Sequence, residues 1–289
     1  MRLGVTMFAT DRAMRIDALA RAAEERGFFS LYIPEHTHIP SSRATPPPTG
    51  ADELPEEYAR TLDPFVALMA AAAATTGLRV GTGIALVAQR DPIVTAKEVA
   101  TLDFLSGGRF TFGIGFGWNR EEMADHGTEY AHRRAITRER VLAMRHLWEE
   151  DEGSFSGQHV KIEPSWAWPK PVQTPLPVLI GGGGGPKLFE HIVDYADGWI
   201  PIGGAGLTRM LPELRGMAAE AGRDPAELRT VPFGTIPDPG KLEHYASLGI
   251  DEVVLRIPSA PADPVLRKLD EYAPLVGEIA DLAAARPQA

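Results

Sequence analysis

The chain has 289 residues, 44% hydrophobic and 24% charged, the make-up of a globular protein with room for one large α/β barrel or two ordinary domains. Its formal charge of -10, with no offsetting basic run, speaks against a nucleic-acid partner. The absence of cysteine excludes disulfides, thiolate metal sites and a cysteine nucleophile.

Strand-like and helix-like segments alternate along the chain. The first strand is predicted over 2–8, entered without a basic or long apolar leader, and the first helix near 11–26. A strand at 30–33 leads into a long loop, 34–63, that contains Pro46-Pro47-Pro48-Thr49-Gly50. Loops of that length are functional lids or disordered segments. A helix near 64–76 follows; its apolar run, 65–74, is too short to span a bilayer. A soluble, cytoplasmic protein is expected.

Next come a strand at 79–85, a helix at 92–106 and a strand at 109–115. Ile93, Ala96, Val99, Ala100 and Phe104 share a helical stripe and are expected to face a core. Gly107 and Gly108 supply the left-handed stop. A helix near 132–150 carries Arg133, Arg134, Arg138, Arg140 and Arg145 among carboxylates, which reads as an ordinary charged outer face. The segment 151–174 interrupts the alternation with a small hairpin at 155–162 and an extended Trp166-Ala167-Trp168-Pro169. Strands at 177–180, 198–200, 230–233 and 252–256 then alternate with helices near 186–196, 207–222, 239–248 and 263–283.

Eight strand–helix pairs in a chain near the usual barrel length of about 250 residues predict a (β/α)8 TIM barrel. Its insertions follow the second strand and separate the fourth helix from the fifth strand, and all 289 residues form one domain. A doubly wound sheet should show a glycine fingerprint after its first strand; Phe8-Ala9-Thr10-Asp11 has none.

Barrel chemistry sits at the carboxyl ends of the strands. The second strand ends in Pro34-Glu35-His36, where His36 suits a general acid or base and Glu35 could orient it. His36-Thr37-His38 has metal-ligand spacing, but the other strand tips offer no further ligands. The fourth strand ends in Gly115-Phe116-Gly117-Trp118-Asn119. Phe116 and Trp118 either wall a planar ligand or fill the barrel mouth; Asn119 either bonds a ring edge or caps the next helix. Gly181, Gly182, Gly183, Gly184 and Gly185 precede Pro186-Lys187, baring backbone N–H groups at a helix start. That is a phosphate cradle, which Gly203 and Gly204 on the neighbouring tip would complete. A flexible turn is the alternative reading.

Taken in order, Ile33-Pro34-Glu35-His36, Asp91-Pro92, Ser106-Gly107-Gly108-Arg109, Gly113-Ile114-Gly115-Phe116-Gly117-Trp118, Glu122, the 155–157 hairpin, the five glycines and Ala196-Asp197-Gly198-Trp199 resemble the bacterial-luciferase-like flavin- and deazaflavin-dependent oxidoreductases. The resemblance covers about residues 1–280, and the Ile-Pro-Glu-His tip is similar to coenzyme F420-dependent subfamilies. It implies an enzyme whose barrel mouth holds the cofactor ring, with F420 as cofactor and FMN, in a monooxygenase using reduced flavin and O2, as the alternative. A ligand-binding barrel without turnover is the reading of another class.

The resemblance further implies a non-proline cis peptide near Gly83-Ile84 behind the ring, His36 near its reactive carbon, Asn119 on the cofactor, and phosphate contacts from Gly181, Gly182, Gly183, Gly203 and Gly204. A homodimer is usual in the family. Lys187, Arg43 and Arg90 are candidate partners for the anionic tail of F420. Trp118 stands where a glucose-6-phosphate-oxidising relative has an acidic residue, which speaks against sugar-phosphate oxidation; the substrate itself is not legible.

Overall fold

The computed structural model describes residues 1–47, 50 and 53–284. Pro48 and Thr49 of the proline-rich run lie outside the described residues. The chain order is β1 (Arg2–Thr6), α1 (Ile16–Glu25), β2 (Ser30–Ile33), α2 (Pro64–Ala73), β3 (Arg79–Thr82), α3 (Pro92–Ser106), β4 (Phe110–Ile114), α4 (Arg120–Asp125), α5 (Arg133–Glu149), β5 (Gly153–Ser156), β6 (Lys161–Ser165), β7 (Val178–Gly181), α6 (Pro186–Tyr195), β8 (Gly198–Ile200), α7 (Leu207–Glu220), β9 (Arg229–Thr230), β10 (Phe233–Thr235), α8 (Pro239–Ser247), β11 (Glu252–Arg256) and α9 (Ala262–Ala284).

Nine strands form one curled parallel sheet in the order β10-β11-β1-β2-β3-β4-β7-β8-β9. β5 and β6 form a separate antiparallel hairpin. The sheet is buried on both faces, as parallel strands require. Between the sheet and its helices lie Leu3, Val5, Leu31, Val80, Phe110 and Phe112 among many others. Inside the curl a second cluster joins Tyr32, Leu179, Ile200, Val231 and Val254, with Ile84 and Phe233 packed on it.

The helix ends follow from local chemistry. Asp91 accepts from the N–H groups of Ile93 and Val94, Pro92 occupies the first turn, and Gly107 closes α3 at φ 67°. Asp63 caps α2 in the same way, bonding Phe65 and Val66.

Three expectations are corrected. Ile93 and Phe104 do not face the core; both are 53% exposed. Helix α3 is apolar on most sides, so periodicity selects no face. Its inner side includes the polar Asp103, whose carboxylate accepts from the N–H groups of Val172 and Gln173 and from Gln173 Nε2. The strand expected at 230–233 is split into β9 on β8 and β10 on β11. Pro232 sits at the break, where a residue without an N–H cannot donate to a ladder. Finally, Arg120–Asp125 forms a short helix that the periodicity did not announce.

Candidate active site

His36 stands just past β2. Its backbone N–H donates to Thr61 Oγ1 at 3.2 Å, and that hydroxyl donates to the His36 carbonyl at 2.6 Å. The imidazole Nδ1 lies 2.7 Å from Glu122 Oε2, with the two side chains only 6% and 1% exposed. A carboxylate can only accept, so Nδ1 carries the hydrogen, and Nε2 has no hydrogen-bond partner among the described residues. The second oxygen of Glu122 accepts from the Thr37 N–H at 3.1 Å. Glu122 reaches this position because Asn119 caps α4, its Oδ1 accepting from the Glu122 N–H at 3.4 Å.

Asn119 is buried, and its Nδ2 has no partner among the described residues. An unmet buried donor costs about 1–3 kcal/mol. Of the two readings of Asn119, the structure shows the helix cap, made by its carbonyl.

Glu35 does not orient His36. Its carboxylate accepts from the Leu86 N–H and from Arg90 Nε, each at 2.6 Å. Arg90 also meets Asp63 at 2.7 Å and Glu98 at 3.1 Å. Burial opposes the charge on Arg90, yet the Glu35 carboxylate beside it raises the guanidinium above its ordinary value. Arg90 is thus engaged by three carboxylates and is no free cation for a cofactor tail. The acidic partner of His36 comes from one turn beyond Trp118, a signal the chain order conceals.

An aromatic group surrounds the imidazole. Tyr58 lies 5.3 Å from His36 and 4.7 Å from Phe8 between ring centroids. Trp118 lies 5.7 Å from His36, edge-on, and 6.2 Å from Tyr58. Burial raises the Tyr58 hydroxyl above its ordinary value. The strap carrying Tyr58 is pinned by Arg12 to Glu56 at 2.6 Å, Arg60 to Asp11 at 2.7 Å and Arg256 to Glu57 at 3.1 Å. Phe116 belongs elsewhere: its ring meets His191 at 5.1 Å and the Arg134 guanidinium at 4.3 Å. Phe116 and Trp118 therefore do not form one wall.

The 181–185 loop follows β7. Among the described residues, the N–H groups of Gly183, Gly184 and Gly185 bond nothing. Nothing lies within 4 Å of the side-chain direction at Gly183 or Gly185, and Gly185 adopts φ 150°. Free N–H groups at a helix start are groups to which an anion can bond. Gly203 does not offer its own N–H, which donates to the Phe233 carbonyl at 2.8 Å. Lys187 is exposed beside the loop, while Arg43 lies over the Trp118 ring at 5.8 Å.

The Gly83–Ile84 peptide is cis, as the resemblance implied. Ile84 packs between two strand ends: a Cβ on Gly115 would lie 2.4 Å from its Cδ1, and one on Gly181 2.7 Å from its Cγ2. Glycine at both tips lets this side chain occupy the floor of the mouth.

Residues 2–236 match the family model for luciferase-like monooxygenases. The chain belongs to the luciferase-like monooxygenase family. It is an oxidoreductase of that family. An uncharacterized protein of Mycobacterium tuberculosis is 44% identical over 276 residues, covering 94% of this chain and 98% of the relative. An F420-dependent glucose-6-phosphate dehydrogenase of Kineococcus radiotolerans is 29% identical over 225 residues, covering 72% and 60%. Among solved structures, an F420-dependent secondary alcohol dehydrogenase aligns with a TM-score of 0.77 at 19% identity, covering 96% and 99% of the two chains. A monooxygenase of Streptomyces bottropensis aligns with a TM-score of 0.75 at 20% identity, covering 95% and 98%. Likeness at that identity establishes the shared fold.

Proposed function

We propose that the protein is a coenzyme F420-dependent oxidoreductase that passes a hydride between the deazaflavin and a small organic substrate, with His36 as proton donor or acceptor. The observation that carries this reading is the buried His36–Glu122 pair beside an unmet Asn119 amide and three free backbone N–H groups. These residues fit a planar cofactor with a phosphate. Asn119 Nδ2 would donate to the ring edge, Gly83-Ile84 would lie behind it, and the loop bearing Gly181, Gly182, Gly183, Gly184 and Gly185 would hold the phosphate, with Gly203 and Gly204 alongside. When bound, the deazaflavin supplies the hydride acceptor or donor.

The protein's own residues handle the proton. Glu122 fixes the imidazole through Nδ1, and Nε2 takes or returns the substrate proton. Tyr58, Trp118 and Phe8 form an apolar surround that excludes water from this exchange. Glu35 supports the site indirectly, by anchoring Arg90 and the Leu86 backbone.

Counting β9 and β10 as one interrupted strand, we read the curled sheet as an eight-stranded barrel, which the parallel bridge between Ile202 and Phe233 supports. We read the association state as a homodimer. Val66, Ile93, Val94 and Leu105 leave an apolar face exposed on α2 and α3, and light scattering at micromolar concentration would report the mass.

Tryptophan-quenching titrations with F420 and with FMN test the cofactor. Saturable quenching by F420 supports the proposal. Tight FMN binding without a response to F420 would replace it by a flavin monooxygenase.

A further inference from the structure

We infer that Arg120, Arg133, Arg134 and His191 form a second anion site beside the glycine loop, one that receives the polycarboxylate tail of the deazaflavin. The inference rests on the F420 reading and deepens it.

Two guanidinium groups share one aromatic ring: Arg133 lies 3.7 Å and Arg120 4.8 Å from the Tyr130 centroid. Arg134 lies 4.3 Å from the Phe116 ring, on which His191 also packs. Phe116 lies two residues past β4, whose last residue Ile114 pairs with Ile180 just before the glycine loop, and His191 belongs to the helix that starts at that loop. The four cationic or titratable groups thus extend from α4 across the start of α5 to α6, next to the phosphate cradle.

None of the three arginines has an ion pair among the described residues. Others on the same helix do: Arg138 pairs with Asp194, and Arg145 with Asp197 and Glu149. Among the described residues the Arg133 guanidinium makes a single hydrogen bond, from Nη1 to the Tyr130 carbonyl at 2.8 Å. Its Nε, Nη1 of Arg134 and the hydroxyl of buried Tyr195 are all buried without a partner. Burial, and then the like charge of Arg133, lower the Arg134 guanidinium; burial and then Arg134 lower His191.

The helix end adds to the imbalance. His132 provides no side-chain cap for α5, and the first turn carries two arginines and no acid. Cations at a helix amino terminus are repelled by its dipole, and buried N–H groups without acceptors add their own cost. A bound anion relieves all three penalties together.

The three unbonded N–H groups of 183–185 offer donors to a single phosphate. Three guanidinium groups spread over two rings match several carboxylates in series, each able to accept paired N–H bonds. That is the chemistry of a γ-glutamyl chain. The sequence reading set these arginines among carboxylates; Arg138 and Arg145 meet them, whereas Arg133 and Arg134 meet none among the described residues.

The test compares dissociation constants, by tryptophan quenching, of F420 bearing several glutamates and of its phospholactyl form without glutamates. In the unaltered protein the tail should tighten binding about tenfold or more, an increment that salt erodes. The Arg133→Gln/Arg134→Gln double variant should lose that increment while binding the tail-less form as before. Arg120→Gln, on a different helix, should lose part of it, and Arg138→Gln none; these two keep the question decidable if the double variant does not fold. Equal increments in the unaltered protein and the variants, or no increment in any, would overturn the inference and leave the F420 reading standing. Failure of both deazaflavins to bind, with FMN binding instead, would overturn both.

Discussion

His36 and Glu122 are 86 residues apart in the chain and meet at 2.7 Å, Nδ1 to Oε2, with both side chains buried. The contact joins the end of β2 to the first turn of α4. It decides which imidazole nitrogen is free, and therefore where a proton can be exchanged.

Removing the imidazole should separate chemistry from binding. His36→Ala is expected to lower kcat by about 100-fold or more while leaving the cofactor dissociation constant nearly unchanged. Glu122→Gln should lower kcat less and shift the pH–rate profile, because the amide keeps the contact but not the charge. Steady-state kinetics beside quenching titrations check this. Unchanged turnover in His36→Ala would remove it from the mechanism.

Arg90 is held by Glu35, Asp63 and Glu98. Arg90→Met leaves the buried Glu35 carboxylate without its cation and should cost about 3–5 kcal/mol of stability. Urea unfolding measures it. A loss below about 1 kcal/mol would mean the pair is solvated and contributes as surface pairs do.

Gly113 faces the carbonyl of Thr82, and a Cβ there would lie 2.0 Å from that oxygen. Because the obstacle is backbone, Gly113→Ala must displace β3 and should cost about 1–3 kcal/mol or more. Wild-type stability in this variant would show that the strands can separate freely.

Tyr58→Ala should expose Trp118 to solvent, raising acrylamide quenching of tryptophan emission and the substrate KM. Tyr58→Phe should behave like the parent, since no hydrogen bond holds the hydroxyl among the described residues. Equal quenching in all three proteins would argue that the strap does not cover the pocket.

Glu121 clamps the loop before it turns away: its carboxylate accepts from the Ala44 and Thr45 N–H groups and from Thr45 Oγ1. The Thr45 hydroxyl and then the Ala44 N–H lower the carboxyl to about 2. A lowered carboxyl binds fewer protons folded than unfolded, so the clamp is complete above the ordinary carboxylate range and weakens as pH falls toward about 2. At neutral pH, Glu121→Gln should speed hydrogen exchange at Ala44 and Thr45; at acidic pH the difference should shrink. Identical exchange at neutral pH would refute the clamp.

Legibility followed the range of the interactions. Helix α3 was readable to its ends because Asp91, Pro92 and Gly107 act on their own neighbours. The glycine loop and the position of His36 were readable for the same reason, since bare backbone and a strand tip are local features. Helix α4 was not, because six residues hold too little periodicity to register. Tyr58 lay in a loop without pattern, and Glu122 was legible only as one residue of the family motif, with no local feature tying it to His36.

By itself the sequence determined the alternation of strands and helices, the cap residues, the glycine-bared loop and the family resemblance. Each depends on residue type at short spacing. Only the tertiary structure decided that Glu122, and not Glu35 next to His36, holds the imidazole; that Arg90 is engaged by three carboxylates; and that Arg133 and Arg134 have no ion pair among the described residues. Pairing depends on which groups the curled sheet brings within hydrogen-bond distance, across separations of 86 residues for His36 and 55 for Arg90 and Glu35. Neighbouring positions along a chain can point to different partners, so composition names the charges and only the fold balances them.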